Sequence, residues 1–304
     1  MKITKNKKNF KILIIGYGSI GKQHYKSLNN LSLKKNIFYL SKRNIKNKNF
    51  IERKDIKKLN PNYIIICSNT VDHLSDVKFL EKNLEKKIIL IEKPVFEKIN
   101  NFRPKKNKYF VNYQLRFHPV IQELKKITKN KKILNLQVNC NSFLPGWRNR
   151  DYKKSYSSKK ILGGGVLLDL SHELDYILWI FKKIKINYSK IGKISKLKID
   201  SDDSAHILGK LSFNGIYNIN LSYFSRIPKR SIVLDCDEFS FYGDLINNFY
   251  KFKSSQKTIS KFFKINQLKL LTNVHKKIIN SNYKDLCTFK EGLLVLKYIK
   301  NLKF

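Results

Sequence analysis

The sequence predicts an α/β protein of two domains. The first domain has a doubly wound parallel sheet, and the second is an α+β domain with a large, open, mostly antiparallel sheet. Short Ile/Leu/Val runs alternate with helical patterns in the first part of the chain, and a glycine-rich turn follows the first run. Longer, alternating runs without intervening helices occupy much of the remainder. We place the domains at 1–117 and 118–304.

Five apolar runs in the first domain are predicted to be parallel strands, because strands buried on both faces carry continuous apolar residues. Helical patterns over 20–30 and 73–86 predict two of the crossover helices between them. The runs are KILIIG (11–16), NIFYLS (36–41), NYIIICS (62–68), KIILIEKP (87–94) and KYFVNYQ (108–114).

The second domain begins with a helical pattern over 118–129, after which the pattern of apolar residues changes. Apolar and polar residues then alternate, as is typical of antiparallel strands with one covered face. The runs are ILNLQVNCNSF (133–143), AHILGKLSF (205–213), IYNINLSYFS (216–225), SIVLDC (231–236) and FSFYG (239–243). Helical patterns over 166–181, 265–280 and 288–301 are predicted to cover one face of the sheet.

The first strand leads into GYGSIG (16–21), a GxGxxG pattern that opens a helix. Gly16 permits a tight turn, Gly18 lets the backbone approach a pyrophosphate, and Gly21 lets the helix pack close to the strand. The helix N-terminus adds free N–H groups and a partial positive charge. We therefore predict a Rossmann domain that binds a dinucleotide at Gly16, Gly18, Ser19, Ile20 and Gly21.

The residues at the end of the second strand are predicted to determine whether NAD or NADP binds. A carboxylate there would hold the ribose 2′-hydroxyl of NAD, but the residues are Ser41, Lys42 and Arg43. A hydroxyl and two cations suit a 2′-phosphate, so we favour NADP over NAD, with Ser41 and Arg43 as ligands. The alternative is that Lys42 and Arg43 are ordinary surface cations in a Lys-rich chain.

Composition argues against several classes of partner. The net charge of +41 would attract nucleic acids, but only eight of the 63 basic residues are Arg and the Lys residues are spread along the chain. We interpret the charge as solvated surface and expect no nucleic-acid partner.

The four cysteines form no CxxC pair, so we predict neither a disulfide framework nor a metal site. No apolar run approaches the roughly 20 residues that span a bilayer, so we expect a cytoplasmic protein with no membrane contact.

Three motifs together resemble the Gfo/Idh/MocA (glucose–fructose oxidoreductase / inositol 2-dehydrogenase) family. They are the glycine turn, the Glu92-Lys93-Pro94 element and GGGVLLDLSHELD (163–175). The similarity extends to LPGWRNRDYKKSYS (144–157), which also resembles a subgroup associated with surface-polysaccharide gene clusters. The resemblance implies an NAD(P)-dependent alcohol–ketone interconversion on a sugar, a sugar acid, an inositol or a nucleotide sugar.

The resemblance also implies the site residues. Lys93 would lie beside the nicotinamide, while Asp169 and His172 would face the substrate. These two are three positions apart where the family has four, but both spacings lie on one face of a helix, so the pair can still converge. The cofactor ligands assigned in addition to the glycine turn and the second-strand end are Ser68, His73, Glu92 and Lys93.

Oxidation of a secondary alcohol needs a base for the hydroxyl proton, and an imidazole titrates near neutrality. We assign this role to His172, with Asp169 or Asp175 fixing its tautomer. Lys93 could stabilise developing alkoxide charge or act as the base. Side chains that suit a sugar-like substrate, each of which could instead be ordinary packing, are Arg116, Trp147, Arg148, Arg150, Tyr152 and Tyr156.

Two other functions stay open at this point. One is a non-catalytic dinucleotide-binding regulator, against which the joint presence of Lys93, Asp169 and His172 argues. The other is an NAD-dependent glycoside hydrolase on the same fold. An open sheet leaves a face that a partner subunit can cover, so we expect a homo-oligomer, either a dimer or a tetramer.

Overall fold

The computed structural model of the chain describes residues 9–33, 36–42, 49–149 and 151–302. The chain divides into two units. Unit 1 comprises residues 1–114 and 266–293, and unit 2 comprises residues 115–265 and 294–304. The fold class is the one that the sequence predicts, with a mostly parallel sheet in unit 1 and a larger, mostly antiparallel sheet in unit 2.

A six-stranded sheet in the order β14-β5-β4-β3-β1-β2 forms the centre of unit 1. Its strands are β1 (Ile12–Ile15), β2 (Ile37–Leu40), β3 (Tyr63–Ile66), β4 (Ile88–Ile91), β5 (Lys108–Val111) and β14 (Cys287–Thr288). The first five pair in parallel, and β14 pairs antiparallel with β5. All four residues of β1 and of β3 are buried, as a sheet covered on both faces requires.

The register brings the ends of the parallel strands into line. Ile15 at the end of β1 lies opposite both Leu40 and Ile66, and Ile66 lies opposite Ile91, which in turn lies opposite Val111. The residues that follow these strands therefore share one edge of the sheet, which is where ligands bind in open α/β sheets. We call it the carboxyl edge; its first residues are Gly16, Ser41, Cys67, Glu92 and Asn112.

Helices of unit 1 connect the strands or cover the sheet. They are α1 (Ser19–Asn29), α2 (Ile56–Leu59), α3 (His73–Asn83) and α7 (Gln267–Ile279). A last helix, α8 (Phe289–Asn301), begins in unit 1 and ends in unit 2.

Residues 266–293 belong to unit 1, although we predict them in the second domain from the sequence. Two contacts explain their placement. The Ser27 hydroxyl of α1 lies 2.9 Å from the Thr272 hydroxyl of α7, and Cys287 in β14 pairs with Val111 in β5. A local sequence pattern identifies such a helix but not the sheet that it covers. The change of unit at Gln114 lies close to the predicted boundary at 117.

Unit 2 is built on an eight-stranded sheet in the order β13-β12-β11-β10-β6-β9-β8-β7. All neighbours are antiparallel except β6 and β9, which are parallel. The strands are β6 (Ile133–Phe143), β7 (Lys185–Gly192), β8 (Ser204–Lys210), β9 (Ile216–Ser222), β10 (Phe224–Cys236), β11 (Phe239–Asp244), β12 (Phe249–Ser254) and β13 (Thr258–Phe262). The helices that lie wholly in this unit are α4 (Pro119–Ile127), α5 (Val166–Asp169) and α6 (His172–Phe181).

The two faces of the unit 2 sheet differ in chemistry. Residues such as Leu136, Val138 and Ile219 are buried on one face. The alternating positions of β6 and β9 are partly exposed on the other face and carry side-chain amides. We call these positions the amide face: Asn135, Gln137, Asn139, Asn141, Asn218 and Asn220. Neither strand contains a charged residue, in a chain of net charge +41.

Candidate functional site

The glycine turn joins β1 to α1 at the carboxyl edge. Gly16 has a φ of 93°, and a Cβ atom there would lie 2.5 Å from the carbonyl of Cys67. A Cβ atom on Gly21 would overlap the carbonyl oxygen of Gly16. Both glycines are therefore required by the packing of unit 1 itself, which agrees with the roles predicted for the tight turn and the close helix–strand contact.

Gly18 is different, because the packing of the chain gives no reason for a glycine at this position. Its φ of −79° and ψ of −160° are accessible to any residue, and an added Cβ atom would meet nothing within 4 Å. It is the N-cap of α1, whose first turn contains no acidic side chain. The turn thus presents bare backbone and the positive end of a helix, an arrangement that fits the diphosphate of a dinucleotide.

A cleft of about 1140 Å³ runs along the carboxyl edge beside this turn. That volume exceeds the roughly 300–1,000 Å³ of typical small-ligand pockets, so a dinucleotide has room to bind. The lining includes the turn residues Ile15–Gly18, the β2 end at Leu40–Lys42, the 50–55 segment, the β3 end at Cys67–Asn69, and Asp72, Ser75 and Asp76.

Lys42 is the described cation of the segment predicted to select NADP. Its Nζ atom lies 3.1 Å from Asp72 Oδ2, in an exposed ion pair. Arg43 lies outside the described residues, as does Arg150 of the predicted substrate group. The pair with Asp72 compensates part of the Lys42 charge, and because it is exposed it is weak enough to be exchanged for a ligand phosphate.

The 50–55 segment of the cleft lining carries charged side chains that belong to none of the predicted motifs. The Arg53 guanidinium contacts Asp76 and lies 4.7 Å from the centre of the Phe79 ring. Lys54 pairs with Glu52 at 2.8 Å. These residues follow no motif, and only the fold brings them to the cleft.

Ser68 and His73, both predicted as cofactor ligands, lie just beyond β3. The Ser68 hydroxyl donates to Asp76 Oδ2 at 2.7 Å. His73 is 1% exposed; its Nδ1 lies 3.2 Å from the carbonyl oxygens of Pro94 and Val95, and its Nε2 lies 3.2 Å from that of Ser68. Burial lowers the pKa of His73, although the carbonyl groups oppose this effect. The imidazole thereby links the segments that follow β3 and β4.

Glu92 and Lys93 follow β4 at the carboxyl edge, and the Lys93–Pro94 peptide bond is cis. Glu92 is 8% exposed, and its Oε1 atom lies 2.7 Å from His24 Nε2 and accepts a hydrogen bond from Asn112 Nδ2 at 2.5 Å. Burial raises the pKa of Glu92, but His24, Asn112 and the Lys93 charge outweigh it and bring the pKa below its usual range. Glu92 is therefore a carboxylate at neutral pH.

A second group of site residues gathers in unit 2 around Asp169. This carboxylate is 5% exposed and accepts a hydrogen bond from the Tyr223 hydroxyl at 2.5 Å. The ring of Trp147 packs edge-on against Tyr223, with 5.2 Å between the centroids. The guanidinium of Arg148 lies 5.7 Å from the centre of the Tyr156 ring. A small pocket here is lined by Leu144, Trp147, Arg148, Tyr152, Ser155 and Ser157.

Tyr156 and Tyr223 are neutral phenols at neutral pH. Burial raises the pKa of Tyr156 and of Tyr223 well above the ordinary value, and the Asp169 carboxylate raises both further. Tyr223, which follows β9, is absent from the residues predicted from the sequence. In the sequence it lies inside the run IYNINLSYFS (216–225), which we predict as a single strand, so no local pattern marks it as a site residue.

Two of the three glycines before α5 serve close contacts within unit 2. Gly165 has a φ of 123°, and a Cβ atom on it would lie 2.5 Å from the Asp202 carboxylate. A Cβ atom on Gly164 would overlap the carbonyl oxygen of Tyr156. Asp202 in turn accepts hydrogen bonds from the first N–H groups of α5 through its carbonyl and its carboxylate. These contacts explain glycines 164 and 165 without a substrate.

Asp169 and His172 do not share a helix, contrary to the continuous helix predicted over 166–181. Asp169 is the last residue of α5 and His172 is the first residue of α6. Leu170 between them has a φ of −98° and a ψ of 26°, outside helical values. The helical-spacing argument for their convergence therefore does not apply to this chain.

Arg116, predicted as a substrate ligand, is engaged inside unit 2. It is 1% exposed, its Nε atom donates to Asp175 at 2.9 Å and its terminal nitrogen donates at 2.7 Å. Its guanidinium also lies 5.1 Å from the Trp179 ring. The charge of Arg116 is thus balanced by a buried carboxylate, and the same bonds occupy Asp175, which we considered as a partner for His172.

Three further results bear on the chemistry. Within residues 9–33, 36–42, 49–149 and 151–302, no group of three or more His, Cys, Asp or Glu side chains is arranged to hold a metal ion. The four cysteines are free and buried. No helix in the described part of the chain is long and apolar enough to cross a membrane.

Neither a family model nor a curated protein matches this sequence. Solved structures, however, match over almost the whole chain. UDP-N-acetylglucosamine 3-dehydrogenase GnnA from Acidithiobacillus ferrooxidans has a TM-score of 0.75 at 14% identity, with 96% of each chain covered. The WlbA dehydrogenase from Bordetella pertussis, in complex with NADH and UDP-GlcNAcA, has a TM-score of 0.73 at 15% identity, with 96% of this chain and 95% of that chain covered. A super-repressor mutant of Gal80p from Saccharomyces cerevisiae has a TM-score of 0.76 at 12% identity, with coverages of 96% and 94%.

The fold and the glycine-turn cleft define a class of two-unit proteins, with a Rossmann-type unit and a unit built on a large open sheet. The chain has the fold of the Gfo/Idh/MocA-type oxidoreductases, among them GnnA and WlbA. The resemblance predicted from three short motifs is thus confirmed at the level of the fold. At 11–15% identity, the likeness concerns the fold and not the substrate.

Proposed function

We propose that the chain is a cytoplasmic NAD(P)-dependent oxidoreductase that interconverts an alcohol and a ketone on a sugar, a sugar acid or a nucleotide sugar. The observation that carries the proposal is Gly18, where an added Cβ atom would enter open space at the N-terminus of α1. The solved structures support it, because one bears the name of a UDP-sugar dehydrogenase and another holds NADH and a UDP-sugar. Four buried free thiols suit a reducing compartment.

The nicotinamide cofactor, when bound, supplies the hydride chemistry. In the proposed function the glycine turn binds the diphosphate, and Ser68, His73 and Glu92 shape the cofactor site of unit 1. Lys93 hydrogen-bonds the reacting oxygen of the substrate and stabilises its developing negative charge. In unit 2, Asp169 and His172 bind substrate and handle the hydroxyl proton, and Trp147, Arg148 and Tyr152 contribute to substrate binding.

A steady-state assay tests this function against the two alternatives. The purified chain is incubated with NAD, NADP or their reduced forms and a panel of sugars, sugar acids and UDP-sugars. A net change in NAD(P)H absorbance that depends on substrate is the expected result. Cleaved product without a net change would instead identify a glycoside hydrolase. Tight dinucleotide binding without any turnover would identify a regulator, a possibility kept open by the repressor among the solved structures.

For the cofactor we propose NADP over NAD, on the basis of Ser41, Lys42 and Arg43. Fluorescence titration is expected to give tighter binding of NADPH than of NADH. Substituting Arg43→Ala should weaken NADPH binding by about tenfold or more, the scale of one charge-assisted hydrogen bond, and leave NADH binding unchanged. Lys22→Ala, on the exposed side of α1, is the matched control. Tighter binding of NADH by the wild-type protein would contradict the preference.

We also propose that the chain is a homo-oligomer, a dimer or a tetramer, in which the amide face meets a second copy. Two surfaces rich in Lys would repel each other, whereas a side-chain amide both donates and accepts and so complements a copy of itself. Charged residues are depleted at the centres of protein interfaces, and β6 and β9 have none.

Light scattering on the purified protein tests the oligomer. The wild type is expected to have the mass of a dimer or a tetramer, and Asn139→Lys on the amide face should lower the mass to that of a monomer. Ser260→Lys makes the same change of charge on the exposed strand β13 and should leave the mass unchanged. A monomeric wild type, or an Asn139→Lys variant with unchanged mass, would disprove this interface.

A further inference from the structure

Four side chains form a continuous buried hydrogen-bond chain in unit 1. The Tyr63 hydroxyl lies 2.9 Å from His275 Nδ1, His275 Nε2 lies 3.0 Å from His24 Nδ1, and His24 Nε2 lies 2.7 Å from Glu92 Oε1. Tyr63, His24 and His275 are each 0% exposed. Tyr63 is the first residue of β3 and Glu92 follows the last residue of β4. Because these strands are parallel, the chain joins the amino side of the sheet to the carboxyl edge.

The two ends of this chain fix the direction of its hydrogen bonds. The Glu92 carboxylate only accepts, so His24 donates to it through Nε2, and an imidazole with a single ring proton then accepts at Nδ1. His275 then donates through Nε2, and its Nδ1 accepts from the phenol of Tyr63. Burial and the neighbouring His24 lower the pKa of His275 well below the ordinary value, and burial raises that of Tyr63. Both groups are therefore neutral, and every donor in the chain meets an acceptor.

The stability of unit 1 does not account for this arrangement. A buried polar network is rarely more stabilising than apolar side chains of the same volume. The two helices concerned, α1 and α7, are already joined by the Ser27–Thr272 hydrogen bond, and Leu28 and Leu271 are buried beside it. A role at the carboxyl edge, where the hydrogen-bond network ends at Glu92, explains the network better.

The Glu92 carboxylate is held from one side only. Its Oε1 atom receives both donors, His24 Nε2 and Asn112 Nδ2. Among the residues that the structure describes, none donates to Oε2. One oxygen is thus anchored to the interior, and the other is the acceptor that this carboxylate can offer to a ligand.

We propose that His24 and His275 are positioning residues that orient Glu92, so that its Oε2 accepts a hydrogen bond from the carboxamide N–H of the nicotinamide. The proposal rests on the proposed function, since it requires a nicotinamide dinucleotide. It follows the order of the sheet. The diphosphate site follows β1, and Glu92 follows β4, two strands away or about 10 Å. A dinucleotide lying along the carboxyl edge would bring its redox ring to that position.

The pH dependence of binding is a direct consequence. The groups that face Glu92 are His24 from α1, with His275 of α7 behind it, Asn112 after β5, Lys93 beside it, and Tyr63 and Cys67 of the β3 segment. His24 contributes much of the lowering of the Glu92 pKa, against burial, which raises it. Without His24 or its support from His275, the Glu92 pKa rises. The ligand-binding carboxylate is then lost at a higher pH as the solution is acidified.

The experiment is a fluorescence titration of the purified chain with NADPH and NADH, from mildly alkaline to mildly acidic pH. His275→Phe and His24→Asn are expected to weaken binding by about tenfold near neutrality, the scale of one lost buried hydrogen-bond partner. On acidification, they should also lose dinucleotide binding at a higher pH than the wild type does. Tyr63→Phe keeps the ring and removes only the donor, so it should give a smaller shift in the same direction even if the histidine variants fold poorly. Ser27→Ala removes the other α1–α7 hydrogen bond and should change neither property.

Two results would overturn the proposal. One is that His24→Asn, His275→Phe and Tyr63→Phe all keep the wild-type affinity and lose binding at the same acidic pH as the wild type. The other is that Ser27→Ala shifts the affinity and this pH equally, which would show that the histidines act only through helix packing. If the wild type itself binds neither dinucleotide, the proposed function fails first. A wild type that binds, together with unaffected variants, removes the positioning role alone.

Discussion

Gly18→Val is expected to abolish dinucleotide binding, with a loss of affinity of at least about 100-fold, while unit 1 stays folded. The valine side chain would occupy the open space in front of α1, so a diphosphate could no longer reach the backbone. Overpacking of this kind costs about 1–3 kcal/mol, and a factor of 100 corresponds to about 2.7 kcal/mol. The backbone angles of Gly18 suit valine, so the midpoint of thermal unfolding should change little.

Gly16→Val is the control, because that position combines a φ of 93° with a clash against Cys67. It should lower the free energy of unfolding by more than about 2 kcal/mol. Binding is measured by fluorescence titration and stability by denaturant unfolding of the same samples. If Gly18→Val binds NADPH or NADH as tightly as the wild type does, no diphosphate lies on the turn and the proposed function loses its main support.

Lys93→Ala is expected to lower turnover by at least about 100-fold, the effect of losing one acid–base or oxyanion-stabilising group. Dinucleotide binding should be largely kept, because the glycine turn and the cleft are untouched. The measurement is kcat under saturating substrate, together with dinucleotide affinity. Lys87→Ala, just before the other end of β4, removes the same charge from unit 1 and should leave kcat near the wild-type value. A Lys93→Ala enzyme of normal turnover would mean that another group stabilises the reacting oxygen.

Much of the fold could be predicted because it is encoded locally. Strands β1 and β3 are buried on both faces and so appear as unbroken apolar runs. Strands β7, β12 and β13 were not found, since they lie at or near the edges of their sheet and carry Lys at exposed positions. In β13 every residue is exposed, so there is no hydrophobic alternation to detect.

The site could be predicted only where its residues are neighbours in sequence. The glycine turn and Glu92-Lys93 each lie in one short segment, so the sequence pattern predicts both as site residues. The His24–His275 contact joins residues 251 positions apart and leaves no local signal. The break at Leu170 between Asp169 and His172 was also hidden, because both flanking segments have ordinary helical composition.

The exposed edge strand β13 has a consequence for the behaviour of the protein in concentrated solution. An edge strand presents unpaired backbone N–H and C=O groups to which another chain can add as a further strand. Lys261 lies within β13, and Lys251 and Lys253 lie on its neighbour β12. Each approaching molecule would have to bring its own lysines against these charges. Repulsion between lysines thus opposes aggregation through β13. The repulsion weakens as the salt concentration rises, because salt screens the charges.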